Sequence, residues 1–166
     1  MVKVRYLLMG VLILIIGIAF SLAVFPSEEK RVKKRFYLLS EWVSKSPEEN
    51  SFAMLKKMKE IGTLFLEPCE LKAPHDSLSG SYTRQEISAC AGSARSHFSQ
   101  LDFKLYDLQI AFPEKEVADV TLTARLTGKS TSGEQIDEIR ELECLLKKID
   151  RKWFFSKVEV IEVLKK

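Results

Sequence analysis

Residues 119–127 read Asp-Val-Thr-Leu-Thr-Ala-Arg-Leu-Thr. Successive side chains of an extended chain point to opposite faces. Val120, Leu122, Ala124 and Leu126 therefore share one face, and Asp119, Thr121, Thr123, Arg125 and Thr127 share the other. Apolar on one side and polar on the other is the pattern of an antiparallel strand with one face on a core and one in water. The period of two begins at Leu101. Phe103 and Leu105 lie on one face, but Leu108, Ile110 and Phe112 continue with the opposite parity, which places a bulge near Tyr106-Asp107. After the strand, residues 128–133 form a hairpin loop. A long strand comes next, with Ile136, Leu142, Cys144 and Leu146 on one face. Asp150-Arg151 then makes a tight turn into a closing strand from Trp153 to about Leu164.

Upstream the period is helical. Thr83-Arg84-Gln85-Glu86 is a capping box and opens a helix through about Phe98, with Ile87, Cys90, Ala91, Ala94 and Phe98 as its buried face. Before it come a polar loop at residues 75–80 and a short strand at residues 67–73, bracketed by Pro68 and Pro74. Ser46-Pro47-Glu48-Glu49 reads as another helix start, with Ser46 as cap and Glu49 closing the box. Met54, Met58, Ile61 and Phe65 form its core stripe, and Gly62 ends it. Ser27 caps a first helix in which Val32, Phe36, Leu39 and Val43 share one face. The five cations at residues 30–35 either face water or touch anionic lipid headgroups.

Residues 7–25 carry no charge over 19 positions. As a helix they extend about 28 Å, close to the hydrocarbon thickness of a bilayer. Lys3 and Arg5 precede the stretch and Pro26 comes after it, so residues 1–26 are expected to be a signal anchor and residues 27–166 the domain it carries. The rival is a secretory signal cleaved at Ser21-Leu22-Ala23. Cation counting alone would hold the domain in the cytoplasm, whereas the short tail is that of an anchor that exports its downstream domain. The expected location is the inner (plasma) membrane, single-pass, with the domain outside. Gly17 and Ser21 form a small-xxx-small pair suited to helix pairing or simply to lipid contact.

Composition narrows the function. The chain has 166 residues, 46% apolar and 30% charged, enough to bury a core. Its net charge is +3, and with Lys3 and Arg5 set aside residues 27–166 carry only +1, which excludes a nucleic-acid binder relying on a broad cationic field. Glycine-rich phosphate loops, G-x-S-x-G elbows and HExxH sequences are missing. His75-Asp76 sits in a loop. Cys90 and His97 are two helical turns apart, too far to share one metal bond shell, so no metal and no cofactor is expected. Of three cysteines, Cys90 and Cys144 fall on apolar faces, and Cys69 with Cys90 is a conceivable disulfide in an exported domain. Tyr106, Asp107 and Asp119 do not assemble into an isomerase-type acid–base set.

Two amphipathic helices, a short strand, a third helix and four long strands form an order that resembles the NTF2-like superfamily, over roughly residues 30–164. The strongest local match is Leu145-Leu146-Lys147-Lys148-Ile149-Asp150-Arg151-Lys152-Trp153-Phe154-Phe155, strand, turn and Trp-led final strand, with Arg151 where the family commonly has Gly. The resemblance implies an α+β cone: three helices packed on a curved four- to five-stranded antiparallel sheet, often around a pocket. Glu138 and Arg140 share the parity of Ile136, Leu142 and Cys144 and are the candidate polar groups at that pocket's mouth, unless the strand end protrudes and both are solvated. The fold hosts enzymes, binding modules and scaffolds alike, and some single-span bacterial members serve secretion or conjugation machines. The expected function is a membrane-anchored, noncatalytic interaction or assembly module at the outer face of the inner membrane. Its contacts would be lipid through the N-terminal helix and a second copy or a protein partner through the sheet face. A small-molecule binder or minor isomerase- or dehydratase-like enzyme using the cone pocket is the alternative.

Overall fold

The computed structural model describes residues 27–74 and 79–161. The backbone divides into two units, residues 1–31 and residues 32–166. The elements are α1 (Glu28–Val43), α2 (Ser51–Thr63), β1 (Phe65–Lys72), β2 (Gly80–Tyr82), α3 (Arg84–Ser96), β3 (Phe98–Glu114), β4 (Val117–Ser130), β5 (Gln135–Ile149) and β6 (Lys152–Ile161). Among the described residues no helix is long and apolar enough to cross a membrane, and the stretch at residues 7–25 lies outside them.

The sheet has six strands in the order β2-β1-β6-β5-β4-β3. This corrects the expected four to five antiparallel strands. β1 runs parallel to β6, and three-residue β2 joins its other edge. β1 was expected as the short strand at residues 67–73, but its parallel partner and the existence of β2 were not visible, because Pro68 interrupts any alternation in β1 and β2 is too short to show a pattern. Parallel pairing also demands a distant crossover partner, here supplied by the last strand. The β3–β4–β5–β6 meander obeys the alternation closely. Ala118, Val120, Leu122 and Ala124 are all buried, opposite Leu146, Cys144, Leu142 and Arg140 of β5. The bulge lies where the parity broke: register shifts between Tyr106 and Gln109, and Asp107 has φ 55°.

The β5–β6 turn is tight, Ile149 facing Lys152. Asp150 and Arg151 both have positive φ, 49° and 64°, the signature of a type I′ turn, whose twist matches that of the strands. A side chain with a Cβ is strained there and glycine is not. Replacing Asp150-Arg151 by Asn-Gly is therefore expected to stabilise the fold by about 1 kcal/mol, read as a higher denaturation midpoint; an unchanged or lower midpoint would contradict this.

The helices start and end differently from the motif reading. α2 begins at Ser51, capped by Asn50, whose side chain accepts from Ala53 N at 2.8 Å. Residues 46–49 form a turn instead, Glu49 N donating to Ser46 O at 3.2 Å. Gly62 sits inside the helix rather than at a left-handed cap. A Cβ there would stand 2.8 Å from the Arg84 carbonyl oxygen, so this glycine is what lets α2 and α3 approach. Gly92 on α3 faces the flexible Met58 side chain. Gly62→Ala is expected to cost about 2 kcal/mol from overpacking, and Gly92→Ala much less, since Met58 can move. Urea midpoints of the two variants test the order.

α3 carries the capping box, Thr83 and Glu86 bonding reciprocally. Those bonds to the backbone N–H and hydroxyl of Thr83 hold the exposed Glu86 carboxyl below its usual range. The helix buries Ile87, Gly92 and Arg95, with Ser88 and Ala91 half-buried. Cys90 and Ala94 are exposed, contrary to the stripe expected from the sequence. The helix is rotated by about one residue because Arg95, not an apolar side chain, has its partners inside.

Candidate functional site

α1 presents Lys33, Phe36, Tyr37 and Ser40 along one helical stripe, spaced three and four residues apart. They face Leu105 and Leu108 of β3 across an open cleft of about 410 Å³. The Asp107 bulge makes this possible, because it returns Leu108 to the face of Leu105; a regular strand would turn it outward. The Ser40 hydroxyl donates to the Phe103 carbonyl, fixing the helix to the strand. Phe36 forms the floor at 2% exposure, and Tyr37 stands at the rim at 69%.

Behind the cleft the sheet's inner face is closed. Phe36 packs edge-on against Phe155 at 4.9 Å, and Phe65 lies 5.2 Å from the same ring. Val120, Leu122, Leu146, Cys144 and Trp153 fill the remainder. Burial pushes the Cys69 and Cys144 thiols up to about 12, so neither is a thiolate at neutral pH and neither is an activated nucleophile. All three cysteines are free, and Cys90, expected inside, is exposed.

The buried charge lies elsewhere, on the helical side. Arg95 is 1% exposed. Its Nη2 donates to both Glu49 oxygens, at 2.6 and 2.8 Å, and its Nη1 donates to the Trp42 carbonyl. Lys57 adds a bond to Glu49 at 3.2 Å and one to the Ser44 carbonyl at 3.1 Å. Lys45 donates to the Arg95 carbonyl in the last turn of α3 and to the Phe98 carbonyl at the start of β3, at 3.2 and 2.6 Å. Arg95 Nε has no partner among the described residues. This cluster ties the end of α1, the α1–α2 turn, α2 and α3 together. Sequence reasoning missed it by assigning Glu49 to a cap. The signal was available: Ile87, Ala91 and Arg95 recur every four residues on one stripe.

Glu138 and Arg140 meet each other, at 2.7 Å, with side chains 54% and 44% exposed. They lie opposite Leu126 and Ala124 of β4, on the expected face but beyond the filled interior, and they do not line the cleft. Asp107 and Asp119 are exposed and line two separate depressions of the outer face, of about 260 and 390 Å³; Tyr106 lines neither. Arg125 on that face holds Asp137 at 2.7 and 2.9 Å and keeps its carboxyl below the ordinary range. His97 is exposed at the end of α3, and His75-Asp76 lies outside the described residues. Among the described residues no group of three His, Cys, Asp or Glu side chains is arranged to hold a metal.

No family model and no curated protein matches the chain. Solved structures do. A candidate scytalone dehydratase from Novosphingobium aromaticivorans superposes with TM-score 0.65 at 19% identity, over 82% of this chain and 85% of that one. A candidate aromatic ring hydroxylase from the same organism gives TM-score 0.70 at 10% identity, over 85% and 93%. Hexachlorocyclohexane dehydrochlorinase from Novosphingobium barchaimii gives 0.63 at 10%, over 81% and 86%. These likenesses establish the NTF2-like α+β fold, a curved sheet with three helices.

Proposed function

We propose that this chain is a noncatalytic NTF2-like binding and assembly domain, held at the inner membrane by residues 7–25 and displayed on its outer side. The observation that carries the reading is the filled interior. Among the described residues, the inner sheet face behind the cleft holds apolar side chains and two high-pKa thiols, with no imidazole or carboxylate to move a proton. Contact with a second copy or a protein partner then falls to the outer face, where Thr123 lies between Tyr106 (43% exposed) and Glu141, and the next outward residue, Arg125, is opposite Ile139 (49%). Such a contact is polar and wet.

The test uses the full chain in a Cys90→Ser background. Thr123→Cys is expected to crosslink between two copies in membranes under mild oxidation, and Ser132→Cys on the hairpin loop is not. Equal or absent crosslinking would overturn self-association through this face; turnover of a dehydration or dehydrochlorination substrate would overturn the noncatalytic reading. Exposed Cys90 also reports sidedness. An impermeant thiol reagent is expected to label it in intact cells, and protection until lysis would reverse the orientation.

One observation favours the alternative. The cleft joins an apolar floor (Phe36, Leu105, Leu108) to an ammonium and a phenol at the rim (Lys33, Tyr37), a lining suited to an apolar molecule with an anionic end, and two of the similar folds above bear enzyme names of the dehydrating or dehydrohalogenating kind. A rise in melting temperature with apolar carboxylates, lost in Lys33→Met, would support this reading over the first.

A further inference from the structure

The turns at one end of the sheet are brought together: Lys148 N donates to the Glu116 carbonyl at 2.8 Å, joining the β5–β6 and β3–β4 turns. Phe112, near the end of β3, rests on Trp153 at 5.8 Å, and the Lys148 ammonium lies 5.9 Å above the same indole. α1 reaches this end as well. Arg35 stands 5.6 Å over the Phe154 ring, whereas Ser40, Ser44 and Lys45 bond to the start of β3 at Phe103 and Leu101. From Val32 onward α1 thus leaves the turn end and runs antiparallel to β3.

Charge and apolarity coincide there. Residues 147–152 hold four cations against one acid, Asp150; the adjoining β3–β4 turn holds Glu114, Lys115 and Glu116, so the two turns together carry +2, and Lys33, Lys34 and Arg35 are consecutive on α1. The chain's net charge is only +3, most of which these two turns match, while on the outer sheet face exposed Asp107, Asp119, Glu141 and Glu143 are mixed with Arg125 and Lys157. The hairpin loop at the opposite end, residues 129–134, has one Lys and one Glu. Ile149, 47% exposed, lies within that run of cations in the chain, and Phe112, 41% exposed, rests on the same indole as Lys148. Only residues 26 and 27 separate the uncharged stretch, which ends at residue 25, from the start of α1 at Glu28.

We propose that this turn end, with Lys147, Arg151 and Lys152 beside Phe112 and Ile149, docks on an anionic lipid surface and orients the domain with its hairpin loop away from the bilayer. The proposal rests on the tethered reading above, and it adds a second, electrostatic contact to the anchor, each cation near the surface adding to the attraction and each screened by salt.

The experiment uses the full chain with Cys90→Ser, carrying an environment-sensitive fluorophore at Ile149→Cys or at Ser132→Cys, in vesicles of phosphatidylcholine with or without phosphatidylglycerol. Expected is a blue-shifted Ile149 probe, quenched by nitroxide lipid, in the anionic vesicles only and reversed by salt, with the Ser132 probe in water throughout. Lys147→Glu/Arg151→Glu/Lys152→Glu is expected to lower that partitioning on the order of a hundredfold. Flotation with neutral vesicles reads the tether alone. Its loss overturns the tethered reading and this docking with it. Retained flotation with a water-exposed Ile149 probe in anionic vesicles overturns the docking and leaves the tether standing. A shift that tracks the density of the protein, not the lipid charge, assigns the face to a second copy and also overturns the proposal.

Discussion

Glu49→Leu is expected to lower stability by about 4 kcal/mol, and by more than Arg95→Met does. Both remove one partner of a buried ion pair, which typically costs about 3–5 kcal/mol because the other charge is stranded. The two halves are not equivalent. Without Glu49, a guanidinium 1% exposed keeps its charge, since arginine does not deprotonate. Without Arg95, the Glu49 carboxylate still has Lys57 at 3.2 Å. At roughly 3 °C per kcal/mol for a domain of this size, Glu49→Leu should melt about 12 °C below the parent. The double variant should recover much of the loss, as apolar replacement of a whole pair often does. Thermal unfolding of the two singles and the double closes the cycle. An Arg95→Met variant less stable than Glu49→Leu would show that the stranded charge is not what sets the cost.

Phe155→Ala is expected to cost about 4 kcal/mol, through loss of apolar burial and the cavity left behind. Its ring is fully buried and is the shared partner of Phe36 from α1 and Phe65 from β1. The Phe155 N–H also donates to the Leu64 carbonyl at 2.9 Å, and this bond survives the substitution. The loss should therefore be packing alone, and Phe155→Leu should retain most of the stability. Because Phe36 is also the cleft floor, the alanine variant should change any cleft ligand's affinity, while Gly92→Ala, elsewhere on the molecule, should not. Denaturant midpoints of the alanine and leucine variants decide the first point; similar losses in both would mean that ring contacts, not volume, dominate.

The meander was legible because a half-buried strand writes its two faces into alternate residues. Val120 to Ala124, the parity break at Asp107 and the turn at Asp150-Arg151 were all read from spacing. The capping box at Thr83 was equally plain, since its bonds span only three residues. The capping signature at Ser46 misled for the same reason: its local pattern was present, but a partner far along the chain drew Glu49 inward. The cleft was half legible. Of its helical lining only Phe36 lay on the stripe read from the sequence (Val32, Phe36, Leu39, Val43), and the strand that faces it is chosen by packing.

By itself, then, the order of residues determined the α+β class, the four-strand meander with its bulge, the buried stripe of the first helix and the uncharged run at residues 7–25. Tertiary structure alone decided the parallel β1–β6 pairing, the rotation of α3 that hides Arg95 and exposes Cys90, and the gathering of Lys147, Arg151, Lys152, Phe112 and Ile149 at one end. Periodicity and caps are short-range, reporting each element's own faces and ends, whereas partners for charges, strand edges and turns are selected by which elements meet when the chain closes on itself.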